Sequence, residues 1–111
     1  MIRNGTMLAA AALTLALAAP AHAGPMVSSY YWQGKKTANG ERYNSEGLTA
    51  AHKTLPFGTK LRVTYKGKSV TVRVNDRGPF IKGRQLDLSR GAARQLGMMS
   101  AGVATVQVQV I

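Results

Sequence analysis

The chain has 111 residues, of which fifteen are Lys or Arg and four are Asp or Glu, for a formal net charge of +11. It contains no cysteine, which excludes disulfide-stapled small domains and sites built on a thiolate. Such a positive charge favours an anionic partner, such as an envelope polymer, a membrane surface or a nucleic acid.

The first residues have the layout of a secretory signal peptide. A short basic start precedes the apolar run 7–19, Pro20 and the small-x-small cleavage pattern 21–23. The run is short of the ~20 residues that a membrane span needs, so an uncleaved anchor is the weaker interpretation. We therefore expect 1–23 to be removed and 24–111 to form one small exported domain. Export argues against nucleic acid as the partner.

The first half of that domain is predicted to be β-structure interrupted by a long loop. Residues 26–33 are rich in aromatic and β-favouring residues, which predicts a first strand. The polar stretch 34–47 contains an Asn39-Gly40 turn. Residues 48–53 form a short predicted strand, and 55–58 form a turn.

A β-hairpin is predicted in the middle of the chain. The runs 60–65 and 69–75 alternate apolar and polar residues, with three valines on one face of the second run. The sequence Lys66-Gly67-Lys68 lies between them and supplies a tight reversal. This pattern is typical of two antiparallel strands joined by a short turn.

The last part of the chain is predicted to contain the one helix. Residues 85–88 form a short strand, and Ser89 is a suitable N-cap for a helix over 90–96 that ends at Gly97. Valines alternate with polar residues in 104–111, which predicts a final strand. Six strands and one short helix in so small a domain predict an all-β fold, a small barrel.

Carboxyl groups are the best candidates for chemistry. The acids are Glu41, Glu46, Asp76 and Asp87, and the only histidine after the predicted cleavage site is His52. The sequence shows no metal-ligand spacing, nucleophile elbow or phosphate-binding loop, so we expect no metal and no cofactor. If the barrel brings three of these acids and the histidine to one rim, the acids raise one another's pKa, and one can act as a general acid.

Each of these residues also has a structural interpretation. Asp76 precedes a Gly-Pro turn and could cap it with its side chain. Asp87 could pair with an arginine, Glu41 could be a solvated loop residue, and His52 could be an ordinary buried histidine. Composition and spacing leave both interpretations open.

Five motifs in order carry a family resemblance: TANGE, LTAAH, LPFGT, VNDRGP and DLSR. From about Ser28 to the C-terminus the chain resembles the double-psi β-barrel domain of the rare lipoprotein A (RlpA) family, septal-ring peptidoglycan lytic transglycosylases. The resemblance implies a six-stranded double-psi β-barrel related to expansins and barwin-like domains. It also implies cleavage of the β-1,4 bond between N-acetylmuramic acid and N-acetylglucosamine, with a 1,6-anhydro product, in cell wall organisation.

The resemblance also assigns residue roles. Asp76 of VNDRGP is the expected catalytic acid and base, and Glu41 and His52 are expected to orient the sugar or to stabilise charge. Asp87 of DLSR is expected either to tune Asp76 or to be structural. The residues predicted to bind substrate are Tyr31, Trp32, Tyr43, Asn75, Arg77 and Phe80.

The chain departs from the family pattern in two respects. Many members are lipoproteins, and this chain has no lipid-site cysteine; many carry a C-terminal SPOR domain, and this sequence stops at the barrel. We therefore expect a monomer, periplasmic or secreted, with no lipid anchor and no transmembrane segment after cleavage. Its expected partner is the peptidoglycan glycan strand, either intact or stripped of stem peptides. The alternatives are a non-catalytic, expansin-like polysaccharide-binding module and a barwin-like binder of a protein partner.

Overall fold

The computed structural model describes residues 23–111. Residues 1–22 of the predicted signal peptide lie outside the described part, so the structure does not bear on that prediction. No helix within 23–111 is long and apolar enough to cross a membrane. The elements are β1 (Ala23–Tyr31), β2 (Thr49–His52), β3 (Lys60–Tyr65), β4 (Lys68–Asp76), β5 (Leu86–Ser89), α1 (Arg90–Leu96) and β6 (Ala104–Val110).

The six strands form a closed barrel in the order β1-β5-β2-β4-β3-β6, with β6 returning to β1. The pairs β1–β5 and β2–β4 are parallel, and the other four pairs are antiparallel. Closure satisfies the backbone of every strand without an exposed edge. The predicted fold class, a six-stranded barrel with one short helix, is confirmed.

The interior of the barrel is filled by the apolar positions that the sequence alternation marks. Helix α1 packs against β4 and β5 and adds its own apolar face to this core. Burial of this size is the main stabilising term for a small domain that has no disulfide. The most deeply buried apolar side chains are Leu61, Val63, Val72, Val74, Leu86, Leu88, Leu96, Met98 and Val106.

The helix has the predicted bounds and caps. The Ser89 hydroxyl accepts a hydrogen bond from the Ala92 amide, and Gly97 takes the left-handed conformation, with φ of 76°. The Gly97 amide donates to the carbonyls of Ala93 and Arg94 in the last turn of the helix. The hairpin is also confirmed: Lys66 and Gly67 both have positive φ, as a type I′ turn requires.

The first strand differs from its predicted bounds of 26–33. It begins earlier, at Ala23, because Ala23 and the residues after it pair with the end of β6. It ends at Tyr31, which pairs with Ser89, the last residue of β5 before the helix. Trp32 therefore has no partner strand, and the strand stops before it.

Candidate functional site

Two aspartates lie in one row on the outer face of the barrel. In the strand register Ser29 pairs with Asp87, Asp87 pairs with Ala51, and Ala51 pairs with Asp76. Partners directly across a sheet project from the same face, so both carboxyl groups leave the same side. They are separated by two strand spacings, roughly 10 Å.

A β-bulge in β4 places Asp76 on that outer face. Ala50 pairs with Val74, but the next residue, Ala51, pairs with Asp76, so Asn75 is an extra residue. Strand side chains alternate between faces, and Val74 is fully buried in the core. Without the bulge Asp76 would project inward like Val74. The inserted residue reverses the alternation and aims the carboxyl group outward.

Both carboxylate oxygens of Asp76 accept hydrogen bonds. Oδ2 accepts from the Tyr31 hydroxyl at 3.0 Å, and Oδ1 accepts from the amides of Ala38 and Arg77, each at 2.9 Å. Burial, followed by the charge of Asp76, raises the pKa of Tyr31, so its hydroxyl remains a donor. Asp76 is thus held by β1, by the loop after it and by its own turn.

Asp87 has a different environment. It is half-buried, and Oδ1 accepts one side-chain hydrogen bond, from the Ser29 hydroxyl at 3.1 Å. Burial raises the pKa of Asp87 to about 6, against the opposing effects of the Ser29 hydrogen bond and of Arg84. The charge of Asp76 raises it further. Asp87 can therefore carry a proton close to neutral pH.

Glu41 lies on the loop that covers the outer face, where it is bound to β4. Its oxygens accept from both terminal nitrogens of Arg73, at 2.8 and 3.0 Å, and from the Asn39 amide at 2.8 Å. These hydrogen bonds, with that of Arg73 the largest, lower the pKa of Glu41 to about 2. Glu41 therefore stays ionised and anchors its loop, which does not suit it to donate a proton.

The structure does not bring His52 to the acids. His52 pairs with Leu86, whose side chain is in the core, so it projects to the face opposite Asp87. Its Nδ1 accepts from the amides of Thr54 and Leu55, both at 3.1 Å. Burial, followed by nearby cations, lowers its pKa, so the ring is neutral at pH 7.

His52 lines a cavity of about 290 Å³. Apolar side chains of β1 and β6, among them Met26, Val108 and Val110, form much of its lining. His52 is expected from the sequence to share one rim with three of the acids. The described structure instead separates it from them by the thickness of the sheet.

The two tyrosines predicted to bind substrate pack on each other beside Asp76. Their rings are stacked with centroids 4.5 Å apart, and the Tyr43 hydroxyl donates to the Tyr31 carbonyl at 2.6 Å. Tyr43 is buried, and burial raises its pKa to about 12. The stack forms a wall of the site, and its Tyr31 end reaches Asp76.

Trp32 and Phe80 are exposed, with 55% and 80% of their surfaces accessible. Trp32 lies at the end of β1 beside Tyr30, and Phe80 lies in the turn after Asp76. Both are free to contact a ligand. Exposed aromatic rings next to a carboxylate row are suited to stacking on sugar rings.

Asn75 and Arg77, also predicted to bind substrate, contact the protein itself. Asn75 is almost fully buried, and its carbonyl accepts from the Asn39 amide at 3.2 Å. Arg77 donates to the carbonyls of His52 and Leu55, at 3.2 and 2.8 Å, and its guanidinium lies 3.9 Å from the centroid of the Phe57 ring. These contacts hold the segments on either side of Asp76.

Sequence reasoning did not identify Ser29 or the backbone of Ala38 as parts of the site. A serine inside a strand carries no distinctive pattern, and only the parallel pairing of β1 with β5 brings it to Asp87. The Ala38 contact depends on how the loop folds back onto β4, which spacing does not encode.

Comparison with known proteins agrees with this architecture. The sequence model of the family described as lytic transglycolase matches residues 25–108. The chain belongs to the lytic transglycolase family. It is 54% identical over 92 residues to the probable endolytic peptidoglycan transglycosylase RlpA of Nostoc, covering 77% of this chain and 25% of that protein.

Two further relatives in this lytic transglycolase group bear the name endolytic peptidoglycan transglycosylase RlpA. The Campylobacter jejuni protein is 54% identical over 90 residues, which is 77% of this chain and 33% of that protein. The Pseudomonas aeruginosa protein is 53% identical over 91 residues, 76% of this chain and 27% of that one. The chain therefore spans about a quarter to a third of these curated relatives. The resemblance to the RlpA family is confirmed.

Solved structures confirm the double-psi barrel. The Streptomyces papain inhibitor superposes with a TM-score of 0.69 at 21% identity, covering 80% of this chain and 94% of that one. An expansin of Clavibacter michiganensis gives 0.68 at 22% identity, covering 80% of this chain and 50% of that one. At such identities the likeness shows the fold of this lytic transglycolase domain and nothing about its substrate.

Proposed function

We propose that this domain is a peptidoglycan lytic transglycosylase. It would cleave the β-1,4 bond between N-acetylmuramic acid and N-acetylglucosamine and leave a 1,6-anhydro end. The observation that carries the proposal is the pair of carboxyl groups in one outer-face row. Burial raises the pKa of Asp87 to about 6, and Asp76 accepts hydrogen bonds on both oxygens. The names of the RlpA relatives support the same reaction class.

The two carboxyl groups divide the work in this proposal. Protonated Asp87 donates its proton to the glycosidic oxygen as the bond to the anomeric carbon breaks. The muramyl 6-hydroxyl attacks that carbon, and its proton passes to the Asp87 carboxylate, which restores the acid. Asp76, whose oxygens are held by three hydrogen bonds, stabilises the positive charge that develops on the sugar ring. No water is consumed, and the enzyme ends in its starting state.

This division differs from the expectation that Asp76 is the proton donor, which stays a prediction. Asp76 accepts hydrogen bonds from three donors, whereas Asp87 accepts one from a side chain and its burial raises its pKa. Glu41 positions the covering loop through Arg73. His52 positions the 52–55 segment, whose carbonyls hold Arg77 next to Asp76.

Product masses test the proposal. The purified protein is incubated with sacculi and with amidase-treated glycan strands, and we expect saccharide ends one water lighter than hydrolysis would give. Asp87→Asn and Asp76→Asn should each abolish these ends while the circular dichroism spectrum is unchanged. Glu46→Gln is the matched control, because the Glu46 carboxylate contacts Ser45, Arg90 and Arg94 and neither aspartate, and this variant should keep activity.

Hydrolysed ends, or full activity in Asp87→Asn, would overturn the proposed chemistry. A second candidate is a non-catalytic polysaccharide-binding module, which the exposed Trp32 and Phe80 favour. That candidate predicts co-sedimentation with glycan, no new ends, and loss of binding in Trp32→Ala or Phe80→Ala.

We also propose that the domain acts in the cell envelope as a monomer. The peptidoglycan relatives support this placement. Fractionation of cells that express the chain should recover it in the periplasm or medium, and light scattering should give the monomer mass. Recovery in membranes after a high-salt wash would contradict it.

A further inference from the structure

A cationic groove lies beside the carboxylate row. Its volume is about 500 Å³, and it is lined by Gly34, Lys35, Lys36, Arg42 and Tyr43. The three cationic side chains are exposed. We call these residues the cationic groove.

Within residues 23–111, the cations of this groove are held close together without an acidic partner. Lys36 and Arg42 are paired across an isolated antiparallel bridge, which places their Cβ atoms about 5 Å apart. Like charges directly opposite each other are destabilising. Among residues 23–111, the ion pairs of glutamates are those of Glu41 with Arg73 and of Glu46 with two helix arginines. The protein thus keeps an unfavourable arrangement that an external anion would relieve.

The groove is joined to the carboxylate row by one turn. Between Lys36 and Arg42 the chain reverses, with the Thr37 amide donating to the Glu41 carbonyl at 2.8 Å. At the tip of this turn the Ala38 amide donates to Asp76. The segment that carries the cations at its base therefore contacts a proposed catalytic carboxylate at its tip.

The groove and the row also share a wall. Gly34 packs on the ring of Tyr43, since a Cβ atom there would lie 3.6 Å from Tyr43 Cδ2. The Tyr43 ring also stacks on Tyr31, whose hydroxyl donates to Asp76. A chain polymer that crosses the carboxylate row can continue into the groove along this stack.

We propose that the cationic groove binds carboxylates carried by the glycan strand. This inference rests on the proposed function and names the part of the substrate that the groove recognises. In stripped strands each muramyl residue has a free lactyl carboxylate; in substituted strands that group is an amide and the carboxylates lie on stem peptides. Polymers of glucose or N-acetylglucosamine have neither. The groove thereby selects muramyl strands over neutral polysaccharides.

The test compares two triple variants with the same change in charge. The groove variant is Lys35→Gln, Lys36→Gln and Arg42→Gln. The control is Arg62→Gln, Lys66→Gln and Lys68→Gln, at the β3–β4 hairpin, the opposite end of β4 from Asp76. Each is made with Asp87→Asn, so that binding is measured without cleavage. Wild-type cleavage products are measured in parallel, so failure of the enzyme proposal is seen separately.

Binding is measured to amidase-stripped strands and to intact sacculi, each with free carboxyls and with carboxyls converted to neutral amides, and to chitin oligosaccharides. We expect stripped strands to bind about tenfold tighter than their amidated form, a difference lost in 0.5 M salt. The groove variant should lose this difference, and the control should keep it. If the difference appears only with intact sacculi, the carboxylates are those of stem peptides.

Equal binding of native and amidated strands by the Asp87→Asn protein without further changes would overturn the inference. So would a groove variant that binds as the control does. Equal competition by a polyglycerol phosphate would show general attraction to polyanions and would also contradict recognition of carboxylates.

Discussion

The two faces of the barrel strands follow different rules. The inner face is apolar and regular, with Val63 of β3 opposite Val70 of β4 and Val108 of β6. The outer face of β1, β5, β2 and β4 is polar and depends on a bulge, a covering loop and an aspartate row. The same strands thus provide stability on one side and the proposed chemistry on the other. Substitutions on the two faces should therefore affect different measurements.

The largest expected effect is on activity, at Asp87. Asp87→Asn should lower activity by a factor on the order of 10²–10⁴, the range for loss of a general acid. The same change should stabilise the fold at pH 7 by roughly 1 kcal/mol, after allowance for solvent screening. A group whose folded pKa is raised to about 6 favours folding only when protonated, and this stabilisation is lost as pH rises through 6.

Urea unfolding at pH 4 and at pH 7, alongside the product assay, checks this pair of effects. The stability gain of the variant should appear at pH 7 and disappear at pH 4. If Asp87→Asn is both inactive and less stable than the wild type at pH 7, the proposed difference between the inner and outer faces is wrong.

Leu61→Ala tests the inner face. Leu61 is fully buried, and such truncations cost about 2–5 kcal/mol in unfolding free energy. The folded fraction should keep its activity per molecule, because Leu61 projects away from the aspartate row. Arg62→Ala, on the exposed side of the same strand, is the control and should change stability little. If folded Leu61→Ala loses activity per molecule, the inner face does not act on stability alone, and the proposed difference between the two faces is wrong.

Gly91→Ala tests the contact between the helix and the covering loop. Helix propensity alone favours alanine by about 1 kcal/mol. However, an added Cβ would lie 2.5 Å from the Glu46 carbonyl oxygen, which is backbone and must move. We expect a net loss of about 1–2 kcal/mol, the cost of overpacking less the gain in propensity, and reduced activity as the loop shifts. Gln95 is exposed on the same helix, so Gln95→Ala should leave the free energy of unfolding unchanged. If Gly91→Ala is more stable than the wild type, the close contact between Gly91 and the Glu46 carbonyl is wrong.

Tyr31→Phe should have the smallest effect. It removes the hydrogen bond to Asp76 while the ring stack with Tyr43 remains. The expected loss in kcat is about fivefold, equivalent to about 1 kcal/mol. Tyr30→Phe removes a comparable hydrogen bond, to the Met99 carbonyl, and should leave kcat unchanged. Equal kcat values for the two variants would remove Tyr31 from the site.

The inner face could be predicted from the sequence because it depends on local alternation. The hairpin and the helix with Ser89 and Gly97 as caps follow from residues adjacent in sequence, and the structure confirms them. The outer face could be predicted only in part. The motifs identified Asp76 and Asp87. The bulge at Asn75 could not be predicted, because it adds one residue and breaks the alternation of side chains on which strand prediction depends.

His52 shows the same limit. It shares a short strand with Ala51, yet alternation sends consecutive side chains to opposite faces, and only the register with β5 shows which face each takes. The bidentate pairing of Glu41 with Arg73 likewise joins a loop to a strand distant in sequence. Both are long-range contacts that a sequence pattern does not contain.

The most direct test is to titrate the Asp87 carboxyl group by ¹³C NMR in the wild type and in Asp76→Asn. The account predicts a midpoint close to pH 6 in the wild type, a lower one in Asp76→Asn, and a decline of kcat/KM as pH rises through the same value. A midpoint near the ordinary aspartate value of about 4 would contradict Asp87 as the proton donor, and with it the proposed chemistry of the outer face.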